Sequence, residues 1–257
     1  MSTNLCADAL LLGLADDSQI TSLSYQSGDP GRSSLAKAAA RFPANRASAE
    51  EVIMQRPDIV LASRRWQAQH QAGLFDRFGI QVVNVPYPRD WPQIFDTLLD
   101  VGSLIGRREQ AQRLVDETRE RLQQIRPPDS NTSVLYLRGN GGTAAQGTYI
   151  DALLTGLGVT NQATHYGLTG WGRTSLETIV LDPPTAFMIS QTRGDASLGR
   201  SGVIRHPLLR QTLSTRPMLS LNDQDNGCSN WRQVATVEHL AEVLLQQLPG
   251  KPVESMP

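Results

Sequence analysis

Two stretches of this chain share one design. In residues 48–61, Ser48 precedes Glu50, a short helical pattern follows, and Pro57 comes seven residues after that glutamate, ahead of the apolar strand Ile59-Val60-Leu61. In residues 175–188, Ser175, Glu177, Pro184 and the apolar strand Ala186-Phe187-Met188 repeat the order and the spacing. A glutamate suits the first turn of any helix, and proline punctuates any helix-to-strand loop. One copy would be ordinary; two copies in corresponding halves predict pseudo-symmetric lobes, each with an acid at its tip.

Around these copies strand and helix patterns alternate, as in α/β lobes with parallel sheets. The first half predicts a helix over 7–15, a strand over 20–24, a turn-rich segment over 25–31 and a helix over 49–55. A strand over 59–62, a helix over 66–78 closed by Gly79 and a strand over 80–85 follow. Ile94, Leu98, Val101 and Ile105 mark a helix over 91–105, with Pro92 suited to its start. A second helical pattern through Ala111, Leu114, Val115, Thr118, Leu122 and Ile125 stops at Pro127-Pro128. A helix of that length spans roughly 27 Å, enough to cross a small lobe. A strand over 133–137, a helix over 149–157, a strand over 186–190 and a helix over 231–248 complete the pattern. The expected organisation is an N-terminal α/β lobe over 1–106, a bridging helix over 107–126 and a C-terminal α/β lobe over 127–257.

The length of 257 residues suits two lobes of this kind. With 24 basic against 25 acidic side chains, no cationic excess is available to neutralise a nucleic-acid backbone. The longest apolar run, Ala9 to Leu14, falls far short of the ~20 residues of a membrane span. Only Lys37 and Lys251 among the basic residues are lysines. The arginine bias supplies rigid forks for carboxylates and phosphates, although a GC-rich genome gives the same bias. Cys6 and Cys228 lie at opposite ends, and His70, His165, His206 and His239 show no ligand spacing, so no metal site is expected. Neither the histidines nor Asp8 form a defensible triad or carboxylate pair, and no catalytic residue is assigned.

After the strand at 133–137, Gly139, Gly141 and Ala144 satisfy a G-x-G-x-x-A dinucleotide pattern. That fingerprint also needs an acid about 20 residues on, yet no Asp or Glu lies between Asp151 and Glu177. A loop at a strand end is the better reading. A small nucleotide-using α/β enzyme reading phosphate through 139–144 remains the rival function.

The two repeat copies, the long helix between them and the opening Ser2-Thr3-Asn4-Leu5-Cys6-Ala7-Asp8-Ala9-Leu10-Leu11 resemble a known family over nearly the whole chain. It is the substrate-binding proteins of ABC importers for vitamin B12, ferric siderophores and haem. The resemblance implies a class III periplasmic binding protein fold: two Rossmann-like α/β lobes bridged by one long helix, with a ligand in the interlobe cleft and no catalysis. It implies a periplasmic monomer without a cofactor, delivering a metal chelate to a membrane permease dimer. Glu50 and Glu177 match the family's lobe-tip glutamates, which dock onto permease arginines, with Glu51 the alternative if the register differs by one.

Strand-end loops of α/β lobes face the crevice, and Tyr25, Trp66, Tyr87, Trp171 and Trp231 fall in or beside such loops. Aromatic surfaces hold large flat chelates with few rotors to order. Tyr25 and Trp171 resemble positions at which vitamin B12-binding proteins contact the corrinoid; Trp231 is a looser match. Arg64, Arg65, Arg138 and Arg173 share these loops and could pair with carboxylate or catecholate oxygens. The alternative is that the aromatics pack at lobe edges and the arginines are solvated. A ferric siderophore is favoured over cobalamin because the arginines suit an anion.

The chain departs from the family's pattern in two respects. No secretory signal precedes the opening, and the sequence begins after the place expected for the family's first strand, which points to a trimmed or miscalled start. The second repeat also has Thr185 where the first has Asp58. In the family's layout Cys6 and Cys228 both lie near the cleft. A bridge there, in an oxidising compartment, and two small residues packed separately both remain open.

Overall fold

The computed structural model describes residues 1–70, 73–129, 131–138, 140–190, 206–221, 224 and 226–248. Both repeat copies fold as serine-capped helices. Ser48 Oγ accepts from Glu51 N (3.2 Å) and Ser175 Oγ from Thr178 N (3.0 Å), each satisfying a backbone donor that the first turn leaves open. Val52 and Ile179, at equivalent places, are each fully buried. The chain divides into two compact units: residues 1–118 with 224–231, and residues 119–223 with 232–257.

In the first unit, Asn4 opens α1 (Leu5–Leu14) by accepting from Cys6 N and Ala7 N. There follow β1 (Leu23–Ser24), α2 (Ala36–Ala39), β2 (Ala44–Asn45), α3 (Ala49–Gln55), β3 (Ile59–Ala62), α4 (Arg64–Gln69), β4 (Gln81–Asn84) and α5 (Trp91–Leu104). β1 pairs with β2, and β3 with β4, both in parallel. Residues 1–3 run between the two pairs: Ser2 N donates to Ser22 O (3.3 Å), Leu61 N to Met1 O (2.9 Å) and Thr3 N to Leu61 O (3.1 Å). The hydrogen-bonded order is therefore β2, β1, residues 1–3, β3, β4.

Two expectations are corrected here. The strand expected over 20–24 contracts to Leu23–Ser24. The helix expected over 66–78 becomes α4 and a separate 3-10 turn at Asp76–Phe78. Ser63 starts α4 early, accepting from Trp66 N, and His70 ends it in an extended conformation; Gly79 does take the left-handed conformation, at φ 71°.

α6 (Arg108–Gln124) is the long helix expected between the repeats, and the division between the units falls within it. The second unit contains β5 (Ser133–Leu137), β6 (Gly142–Ala144), α7 (Tyr149–Gly156), β7 (Thr160–Asn161), α8 (Gln162–His165), β8 (Trp171–Arg173), α9 (Leu176–Leu181) and β9 (Ala186–Ser190). α10 (Pro207–Ser214), β10 (Met218–Leu221) and α11 (Gln233–Gln247) complete it. A parallel sheet runs β10-β9-β5-β7, with Leu135 opposite Phe187 and Phe187 opposite Met218. Val134 to Leu137 and Ala186 to Met188 are buried without alternation, as strands covered on both faces require. β6 and β8 form a separate antiparallel ribbon. No helix among the described residues is long and apolar enough to cross a membrane.

Candidate functional site

In the first unit, Tyr25 follows β1 with its ring half exposed and its backbone N–H on Asn45 O at 2.8 Å. The residue before it, Ser24, is fastened by Asp8, a buried carboxylate on the first turn of α1. It accepts from Ser2 Oγ (2.5 Å), from Ser24 N (2.9 Å) and from Ser24 Oγ, while Ser27 Oγ donates to Ser24 O at 2.8 Å. Burial pushes its carboxyl up to about 6, against these hydrogen bonds, which favour the ionised form. Asp8 had no assigned role from sequence; the signal available was an acid inside the otherwise apolar run Leu5–Leu14.

Tyr87, also half exposed, donates from its hydroxyl to Gly227 O at 2.8 Å. Gly227 belongs to the segment that returns to this unit, which is anchored at further points. Gln224 Nε2 donates to Pro30 O. Cys228 is disulfide-bonded to Cys6, with Cα atoms 4.9 Å apart, inside the range such a bond demands. Of the two possibilities left open for the cysteines, the bridge is the one that forms, and it lies within the first unit.

Two aromatics expected on a ligand surface lie inside this unit instead. Trp231 is 8% exposed and packs against α1 at Gly13, where a Cβ would come within 2.6 Å of its Cη2. Trp66 is also 8% exposed, donating from Nε1 to Ala47 O at 2.8 Å and stacking with His70 and Phe75 at centroid distances of 4.1 and 5.4 Å. Its remaining edge lines a cavity of about 270 Å³ with His70 and Phe75. Both are large apolar rings with a single donor, and the helices beside them supply more apolar surface than solvent does. Arg64 and Arg65, by contrast, are exposed on the first turn of α4.

The second unit brings three predicted residues together. Trp171 on β8 is 49% exposed; behind it stand Tyr149 at 5.6 Å between centroids and Tyr136 at 6.2 Å, edge-on. The Arg138 guanidinium lies 5.6 Å from the Trp171 ring centroid, within cation–π reach. Arg173, two residues along the same strand, projects on the same face of the ribbon as Trp171. Gly142 faces Arg173 across the ribbon, where a Cβ would sit 2.9 Å from Asn140 Oδ1 and 3.5 Å from Arg138 Cδ. A Cβ at 142 would displace the Asn140 side chain and rest against Arg138 in ordinary contact. Tyr136 and Tyr149 were read from sequence only as strand and helix residues.

The same ribbon corrects the dinucleotide reading. Gly139 lies outside the described residues, but Gly142, Thr143 and Ala144 pair antiparallel with β8 and open no helix. A pyrophosphate cradle needs a helix N-terminus at that place, and α7 begins only at Tyr149, beyond the ribbon strand.

Glu50 and Glu177 are both exposed on the first turns of α3 and α9. The Glu50 carboxyl is held below its ordinary range by its own backbone N–H and by Ser48, with His70 adding to the effect. Among the described residues no cluster of His, Cys, Asp or Glu could hold a metal ion.

The family model for periplasmic binding proteins matches residues 2–216. The chain belongs to the periplasmic binding protein family, and its two α/β units with a long intervening helix are the class III form of that fold. Solved structures agree. A possible iron-binding (periplasmic solute-binding) protein from Staphylococcus epidermidis has a TM-score of 0.73 at 19% identity, covering 95% of this chain and 96% of that one. The periplasmic haem-binding protein HutB of Vibrio cholerae gives 0.72 at 16% identity, covering 95% and 97%. FhuD2 from Staphylococcus aureus gives 0.72 at 13%, covering 96% and 98%. These likenesses define the fold. No curated protein sequence matches the chain.

Proposed function

We propose that the protein is the periplasmic receptor of an ABC importer for an anionic metal chelate, and that it delivers this ligand to a membrane permease dimer without transforming it. Family membership supports the receptor role, and a ferric siderophore is the favoured ligand. The observation that carries the ligand class is Trp171, half exposed on a rigid aromatic backing with Arg138 over its ring and Arg173 beside it. A flat or aromatic ligand stacks on such a ring, and its carboxylate or catecholate oxygens pair with the guanidinium forks. Tyr25 and Tyr87, half exposed in the first unit, are proposed to add contacts, with Arg64 and Arg65 offering further cations. Glu50 and Glu177 are proposed to dock the permease.

Titration of tryptophan fluorescence with a ferric catecholate, a ferric hydroxamate, haemin and cobalamin tests the reading. An anionic chelate is expected to quench with submicromolar affinity. Trp171→Ala should weaken binding by about tenfold or more, as loss of a stacked aromatic does. Arg138→Ala should weaken the anionic ligands alone. Quenching by none of the four would overturn the chelate assignment, and tighter binding of cobalamin than of the ferric chelates would overturn the preference for an anion.

A further inference from the structure

The two repeat helices share a second exposed feature. Met54 lies four residues after Glu50, and Leu181 four residues after Glu177, so on each helix the carboxylate and an apolar side chain project from one face. Exposure repeats position by position. Glu50 and Glu177 are exposed, Glu51 and Thr178 half-buried, Val52 and Ile179 buried, Ile53 and Val180 half-buried, Met54 and Leu181 exposed. Met54 is 82% exposed and Leu181 84%, the highest values among the exposed large hydrophobics described.

A single exposed leucine or methionine needs no explanation. Recurrence at equivalent positions of two separate units, beside the same acid, does. Helix propensity does not supply it, because Leu181 ends α9 and Met54 is the penultimate residue of α3, where propensity counts least. Core packing does not supply it either, since Val52 and Ile179 fill that role. Two copies of one acid-plus-apolar surface fit a partner that itself presents two copies of the complement: a dimer offering, twice, a basic side chain beside an apolar pocket.

We infer that Glu50 with Met54, and Glu177 with Leu181, form two equivalent docking patches, one on each unit, each engaging one subunit of the permease dimer through a cation and an adjoining apolar pocket. The inference rests on the permease reading above and adds the apolar anchors to it. The two components have different work. Exposed carboxylates steer encounter and make association salt-sensitive, whereas an apolar anchor seated in a pocket lengthens residence.

The test uses the full chain and the native permease–ATPase complex in lipid nanodiscs, with association and dissociation followed by surface-immobilised kinetics at low and high salt. Met54→Ser and Leu181→Ser should each raise the dissociation rate about tenfold, the order expected for exposing a seated apolar side chain. Their salt dependence of association should match the wild type, and Met54→Leu should restore residence. Glu50→Arg with Glu177→Arg should instead slow association and flatten its salt dependence. Thermal melts guard against misfolding, and none of the exposed substitutions should shift them appreciably. If the charge reversals weaken binding while the serine variants dissociate like wild type, the apolar anchors are refuted and the docking glutamates stand. If the serine variants dissociate faster while the charge reversals change nothing, the anchors stand and the glutamate assignment falls. Wild-type protein that does not bind the permease overturns both.

Discussion

Removing the disulfide offers the sharpest quantitative test of how the first unit is held together. Cys6 and Cys228 are 222 residues apart in sequence, yet both belong to that unit, with Cα atoms 4.9 Å apart. In the chain-entropy treatment, closing a loop of that length removes denatured-state freedom worth about 5 kcal/mol at room temperature. That figure applies when the whole chain unfolds. If the second unit stays folded, its ends are already constrained and the effective loop is shorter, so the gain falls by 1 kcal/mol or so. A loss of about 4–5 kcal/mol is a large part of what keeps a unit of this size folded. It corresponds to a fall in melting temperature of roughly 10–20 °C. The perturbation is Cys6→Ala with Cys228→Ala, compared with the oxidised parent. Trp171→Phe leaves Trp66, Trp91 and Trp231, all in the first unit, so tryptophan fluorescence in that background follows this unit alone. The first-unit transition should move to lower temperature and lower denaturant, while far-ultraviolet dichroism keeps the second-unit transition in place. Coincident transitions for the oxidised and cysteine-free proteins would refute the reasoning, as would two alkylated thiols by mass spectrometry of unreduced protein.

Gly13→Ala places a methyl group against the Trp231 ring, and overpacking of this kind should cost about 1–3 kcal/mol; urea denaturation reads it, and an unchanged midpoint would show that the ring is free to move. Asp8 keeps its proton in the folded state up to about pH 6, whereas the unfolded carboxyl loses it near its ordinary value of 3.8. The folded state therefore binds the extra proton between those values, and this group's contribution to stability falls as pH rises through that window, by at most about 3 kcal/mol. Asp8→Asn should flatten the profile between pH 4 and 6 in chemical denaturation, and a profile as steep as the parent's would assign the dependence elsewhere. Gly142→Val should displace the Asn140 side chain and bring added γ-carbons against Arg138, weakening binding of an anionic chelate about tenfold; undiminished affinity would remove this end of the ribbon from the ligand surface.

The elements legible in the sequence are those in which local chemistry decides. Ser48 and Ser175 cap their helices, so α3 was placed at both ends, and the unbroken apolar runs at 59–62, 133–137 and 186–190 needed no partner to be recognised. What escaped was set by partners remote in sequence. Residues 1–3 are too few to show a period, and only their hydrogen bonds to Ser22 and Leu61 place them between the strand pairs. β6 and β8 are glycine-rich three-residue segments that read as loops until paired. The aromatics divide along the same line. Trp171 and Trp66 have the same intrinsic chemistry, and burial in one case and exposure in the other follow from what packs beside them. Cys6 and Cys228 could be seen, but not the distance between them.

The return of residues 224–231 to the first unit makes the order of synthesis a constraint on maturation. A chain emerging N-terminus first presents α1, and Gly13 within it, long before Trp231 exists to cover that surface. Cys6 is paired with Cys228, so its thiol waits, open to small oxidants and to mixed disulfides, until the chain between the two cysteines, a separation of 222 residues, has been made. The second unit has most of its sequence in hand before the first can close. A fragment ending at residue 118 therefore lacks the bridge, the Trp231 ring and the Gly227 carbonyl that receives Tyr87, and should expose apolar surface that binds chaperones or dyes. The first unit is begun before the second, yet it cannot close until residues 224–231 have followed most of the second unit's sequence.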